Sequence, residues 1–145
     1  MTGSDRTHQA VNMPTHYIGR DGLEARRVIE DCGIAPGFYI GNAIKYLLRA
    51  GKKSAQPVTD LMKARRNLEM LEEVSEDGVP LSGCARRLVP TGRIAAAFDL
   101  SERVTVAVAL LTVPAITRAD IAAVRQLVTE EIDGHLPVAN RGSAA

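Results

Sequence analysis

Residues 38–53 read FYIGNAIKYLLRAGKK, and residues 59–74 read TDLMKARRNLEMLEEV. In the first stretch Ile40, Ile44, Leu47 and Leu48 recur at helical spacing, while Asn42, Lys45 and Arg49 share another face. This pattern predicts a helix over about 38–50, with Gly51 as its C-terminal stop. In the second stretch Leu61, Ala64, Leu68 and Leu71 form a heptad-like seam behind the breaker Pro57. They predict a helix over about 59–74. Two amphipathic helices joined by a short Gly-containing loop pack antiparallel. The pair sets the fold class as mainly α.

Upstream, residues 15–22 (THYIGRDG) read as an ordered loop leading into a helix over 23–32. Ala25, Val28, Ile29 and Cys32 form its stripe, Asp21 is the candidate cap, and Gly33 stands where a helix stops. Downstream, Gly78, Pro80, Gly83, Pro90 and Gly92 mark an irregular connection. Thr117-Arg118-Ala119-Asp120 has the form of a capping box and opens a helix over 118–132. Residues 101–113 have two readings. Val104, Val106, Val108 and Leu110 alternate as in a strand, which would pair with 93–99 in a short β-hairpin at 93–111. A buried helix behind a Ser101 cap is preferred, because no second convincing strand exists. The organisation expected is a flexible tail at 1–13, a helical domain at 14–77, a linker at 78–92, a C-terminal helical appendage at 93–136 and a second tail at 137–145.

The chain has 145 residues, 46% hydrophobic and 24% charged, with a net charge of +1. This is the mix of a folded globular protein, not of a disordered segment. The core must be aliphatic, because the aromatics are only Tyr17, Phe38, Tyr39, Tyr46 and Phe98. The longest apolar run, 104–113, is too short to span a bilayer. Residues 1–12 are polar and unlike a secretory signal. Two cysteines, Cys32 and Cys84, suit a reducing compartment, so a cytoplasmic location is expected.

The near-zero charge hides a strong asymmetry. Residues 37–66 hold seven bases (Lys45, Arg49, Lys52, Lys53, Lys63, Arg65 and Arg66) against one acid, Asp60. Residues 67–77 hold five acids and no base. The helix over 59–74 thus has its bases early and its acids late, the reverse of the macrodipole preference. Each misplacement costs only tenths of a kcal/mol. Bases converging across one short loop nevertheless point to an anionic ligand. A compact patch suits a small anion better than a long nucleic acid.

Known phosphate and metal motifs do not account for it. Gly51-Lys52-Lys53-Ser54 resembles the end of a phosphate loop, but the Walker pattern needs Gly where Tyr46 stands. His8, His16 and His135 are scattered and two cysteines make no zinc site, so no metal ligands are assigned. Glu69-x-x-Glu72 and Glu130-x-x-Asp133 have the form of magnesium-holding acidic pairs, a minor reading. His16 stands out among the histidines, because Tyr17, Gly19 and Gly22 surround it.

Further residues complete a longer pattern. His16-Tyr17 is followed by Gly22 and Glu24, then by Gly41-Asn42-Ala43-Ile44-Lys45-Tyr46-Leu47-Leu48-Arg49-Ala50-Gly51-Lys52-Lys53, then by Asp60-Leu61-Met62-Lys63-Ala64. This resembles the SaV-like family of small bacteriophage proteins, over residues 16–71. One phage branch of that family looks like a Walker-less kinase of deoxynucleoside monophosphates. The resemblance implies nucleotide or phosphate binding by Tyr17, Asn42, Lys45, Tyr46, Arg49, Lys52, Lys53 and Lys63. It implies catalytic roles for His16 and Asp60, ATP as phosphate donor, and magnesium without an identified protein site. Two other readings stay open. One is a non-catalytic nucleotide-binding or nucleic-acid-associated accessory protein. The other is a scaffold or homo-oligomer in which residues 101–113 are buried between subunits.

Overall fold

The computed structural model describes residues 15–51 and 55–137. The tails at 1–13 and beyond 137, and the candidates Lys52 and Lys53, lie outside the described residues. The chain is mainly α, as expected. The described residues form six α-helices: α1 (Ala25–Asp31), α2 (Ala35–Gly51), α3 (Pro57–Glu73), α4 (Thr91–Phe98), α5 (Glu102–Leu111) and α6 (Arg118–His135). Two short strands, β1 (Leu81–Ser82) and β2 (Ala115–Ile116), pair antiparallel with Leu81 opposite Ile116.

The four longer helices pack in the cyclic order α2, α3, α6, α5, with α5 returning to α2. Side-chain contacts show the directions. Arg49 on α2 meets Asp60 on α3, and Tyr46 meets Lys63, so one helix descends as the other rises. Arg65 reaches Thr129 while Glu72, further along α3, reaches Arg125 further back on α6. Both pairs are therefore antiparallel, as short connections and facing apolar stripes require.

The predicted seam of α3 is the core: Leu61, Ala64, Leu68 and Leu71 are buried. On α2 the buried face is Ala35, Tyr39, Ile40, Ala43 and Leu47, with Ile44 and Leu48 at its edge. Val104, Ala107, Val108 and Leu111 of α5 join the same cluster, as do Ile121, Val124, Val128 and Ile132 of α6. The segment read as an appendage thus shares one core with α2 and α3.

Several boundaries and roles differ from the sequence reading. The hairpin alternative at 93–111 is wrong, because both halves of that stretch are helical. Burial at 104, 107, 108 and 111 follows helical spacing, and Ser101 Oγ accepts from the Val104 amide at 3.2 Å. The buried residues of 101–113 are spent within the chain, while Val106 of the same segment is exposed. The actual strands are two residues long, too short to leave an alternation in the sequence. Asp21 does not cap α1; its carboxylate accepts from the Leu23 amide, and Glu24 at the N-cap makes no side-chain cap bond. The helix opening at Arg118 has the full capping box, with Thr117 and Asp120 bonding reciprocally at 3.2 and 2.9 Å.

The helix α2 runs to Gly51, where its stop was expected, and this glycine has a further role. A Cβ there would stand 2.5 Å from the Phe98 carbonyl oxygen and 2.6 Å from Leu100 Cδ2. The end of α2 is pressed against the corner between α4 and α5. Glycine is needed for that close approach.

Candidate functional site

Alternation of faces on α2 does the positioning. Ala43 and Leu47 go to the core, which leaves Asn42, Lys45, Tyr46 and Arg49 along the flank beside α3. On α3 the buried Leu61 and Ala64 place Asp60 and Lys63 at the matching edge. The two helices together gather a basic cluster around one aromatic ring. Lys45 Nζ lies 4.6 Å from the Tyr46 ring centroid, Lys63 Nζ 5.5 Å and the Arg49 guanidinium carbon 5.9 Å. Each contact is worth roughly 0.5–1 kcal/mol at an exposed site. Tyr46 itself is half-buried and packs against the core.

Among the described residues a single carboxylate is in ion-pair reach of this cluster. Asp60 is 5% exposed, and its Oδ1 lies 3.8 Å from Arg49 Nε. It sits in the first turn of α3, where the helix dipole favours a negative charge. Among the described residues neither Lys45 nor Lys63 has a carboxylate within ion-pair distance. Several arginines elsewhere are paired to acids: Arg26 with Glu24 and Glu73, Arg66 with Glu69, Arg103 with Glu130 and Glu131, and Arg125 with Glu72. Two ammonium groups without a carboxylate partner among the described residues therefore stand beside Tyr46.

These pairings correct the count of convergent bases. Arg65 and Arg66 do not join the cluster; they turn towards Thr129 on α6 and Glu69 on α3. They also explain how the dipole-opposed acids of α3 are tolerated. Glu72 and Glu73 are neutralised by arginines from α6 and α1, across distances in sequence that a local reading cannot see. Three of the four acids considered for magnesium are likewise drawn to arginine: Glu69 and Glu72 as above, and Glu130 to Arg103. Among the described residues no group of three or more acids, histidines or cysteines is placed to hold a metal ion.

The structure does not bring every candidate together. His16 and Tyr17 lie in a 3₁₀ turn (Thr15–Tyr17), both exposed, with their rings 4.1 Å apart. Among the described residues no hydrogen bond, ion pair or ring contact joins them to the cluster. Asn42 stands one turn before Tyr46 on α2, half-buried. The assembled set is therefore Lys45, Tyr46, Arg49, Asp60 and Lys63, with Asn42 adjacent. The link that sequence reasoning missed is Gly51 against Phe98 and Leu100, which fixes the basic end of α2. No local signal marks it, because the partner lies in a distant turn.

Comparison with known proteins bears on this same region. Residues 11–69 match the model of a protein family of unknown function, DUF3310. The match takes in α1, α2 and most of α3, and so the whole cluster. The chain is also 40% identical over 75 residues to a protein named nucleotide kinase gp1.7 of Escherichia phage T7. That alignment covers 48% of this chain and 38% of the phage protein, so the chain spans well under half of its relative. No solved structure matches the chain.

Proposed function

We propose that the face shared by α2 and α3 binds the phosphates of a nucleotide, and that the chain is a (deoxy)nucleoside monophosphate kinase without a Walker loop. The observation that carries this reading is the gathering of Lys45, Arg49 and Lys63 around Tyr46. Partial identity to a phage protein named as a nucleotide kinase supports it, as does the resemblance to the SaV-like phage family. Phosphoryl transfer asks mainly for positioning and charge neutralisation. The γ-phosphoryl bond of ATP breaks as a new bond forms to an oxygen of the acceptor monophosphate, giving ADP and a nucleoside diphosphate. ATP is the proposed donor, carried in as its magnesium complex.

This chemistry has a modest demand for a base. A phosphate monoester loses its second proton near pH 6, so at neutral pH the attacking oxygen carries none. That no contact joins His16 to the cluster among the described residues is compatible with this. Asp60, buried against Arg49, is suited to orienting the guanidinium. A patch of a few cations favours a small nucleotide over a long polyanion.

Incubation of the full chain with ATP and a panel of (deoxy)nucleoside monophosphates, with chromatographic detection of diphosphates, tests the proposal. Turnover is expected for at least one acceptor, and Lys45→Ala and Arg49→Ala should remove both turnover and the nucleotide-induced rise in melting temperature. Folded protein that binds nucleotide without forming diphosphate would be a sequestering module. Absence of binding would remove the nucleotide reading altogether.

A further inference from the structure

We infer that Tyr46 is a positioning residue for a phosphate-sized dianion, holding the Lys45 and Lys63 ammonium groups ready, and not a platform on which a nucleotide base stacks. The inference rests on the reading of the α2–α3 face as a nucleotide site and specifies which part of the ligand that face recognises. In nucleotide sites an aromatic side chain commonly offers its face to a base. Here three cationic groups already lie over the ring, between 4.6 and 5.9 Å from its centroid. The remainder of the ring packs against the core. A base could stack only by displacing the cations that would hold its phosphate.

The physical benefit lies in preorganisation. A lysine ammonium rides on a flexible four-carbon stem and loses rotamer freedom when it is fixed on a ligand. Attraction to the ring restrains Lys45 and Lys63 before the ligand arrives, and lowers that cost. Arg49 is restrained differently, by Asp60. The two lysines have no carboxylate partner among the described residues, so their charge is available to an oxyanion. The class of ligand group is then a terminal phosphate or pyrophosphate, and the identity of the base matters little to this face.

Calorimetric titration of the full chain with sodium pyrophosphate, and with one purine and one pyrimidine nucleoside diphosphate, tests the assignment. Affinities of the native chain for the two nucleotides should agree within about fivefold. Tyr46→Leu should weaken all three ligands in parallel by about tenfold, the order expected from losing the ring contacts. Tyr46→Phe, which retains the ring, should restore binding. Pentafluorophenylalanine at position 46 keeps the ring's shape while removing its negative face. It should bind as weakly as the Leu variant, and it decides the matter if the Leu variant does not fold. Loss of nucleotide binding with pyrophosphate binding intact would mean base stacking and overturn the inference. Native affinity in the Leu or pentafluorophenylalanine variant would overturn it too, while leaving the nucleotide reading in place. A native chain that binds none of the three would overturn both.

Discussion

Gly51 and Phe98 meet backbone to backbone, so closely that a Cβ on Gly51 would stand 2.5 Å from the Phe98 carbonyl oxygen. The contact joins the basic end of α2 to a corner where Asp99 takes a left-handed conformation, with φ of 52°. It gives a prediction opposite in sign to helix propensity. Gly51→Ala in an open helix would stabilise by about 1 kcal/mol. Here the added methyl overpacks against backbone, and a loss of about 1–3 kcal/mol is expected in urea unfolding.

Lys45 and Arg49 should separate in the apo protein although both serve the same site. Lys45 is exposed and has no carboxylate partner among the described residues, so Lys45→Ala should cost only the ring contact, about 0.5 kcal/mol of unfolding free energy. Arg49→Ala removes the guanidinium facing the buried Asp60. Because Arg49 itself is well exposed, the expected loss is only about 1 kcal/mol. Chemical denaturation of the two variants side by side is the check.

Tyr39 gives a pH dependence with a definite sign. It is 1% exposed, and its hydroxyl donates to Glu30 at 3.0 Å. Burial, reinforced by that bond, pushes the phenol up to about 12. In the unfolded chain it ionises near 10. Its contribution is therefore complete below about pH 10 and is lost as pH rises towards 12. Between those limits the native chain should lose roughly 2 kcal/mol more than Tyr39→Phe does, measured by urea unfolding at several pH values.

Polar contacts bear much of the attachment of α1. None of its residues is fully buried, and Arg26 bridges to Glu73 of α3 at 2.8 Å. Arg26→Gln should raise amide exchange across residues 25–31 several-fold and leave exchange in α3 and α6 unchanged. High salt should act on the native chain in the same direction, because a partly exposed bridge is screened. Global stability should fall by less than about 1 kcal/mol.

The α3 seam and the capping box at Thr117 were legible because each is a local pattern, whereas Pro57, read as a breaker before the helix, is the first residue of α3. Apolar spacing reports a helix face, and a side chain that bonds its own helix end needs no distant partner. The candidates Lys45, Tyr46, Arg49, Asp60 and Lys63 were legible for a related reason, as spacing and charge place them on facing edges of two neighbouring helices. Arg66, counted among the bases of this stretch, is taken up by Glu69 and Glu73. Composition shows the number of bases but not which acids take them.

The sequence alone determined that this is a helical protein with a net charge near zero and one concentrated basic stretch, since helix periodicity and charge order are written residue by residue. Tertiary structure decided which of those charges remain uncompensated. Arg125 and Arg26 cross over to Glu72 and Glu73, 53 and 47 positions away, while Lys45 and Lys63 turn onto Tyr46. It also decided that Gly51 serves a close approach, and that residues 101–113 complete the core of this same chain. These outcomes depend on which helix faces meet, and that is settled only when the whole apolar surface is buried together.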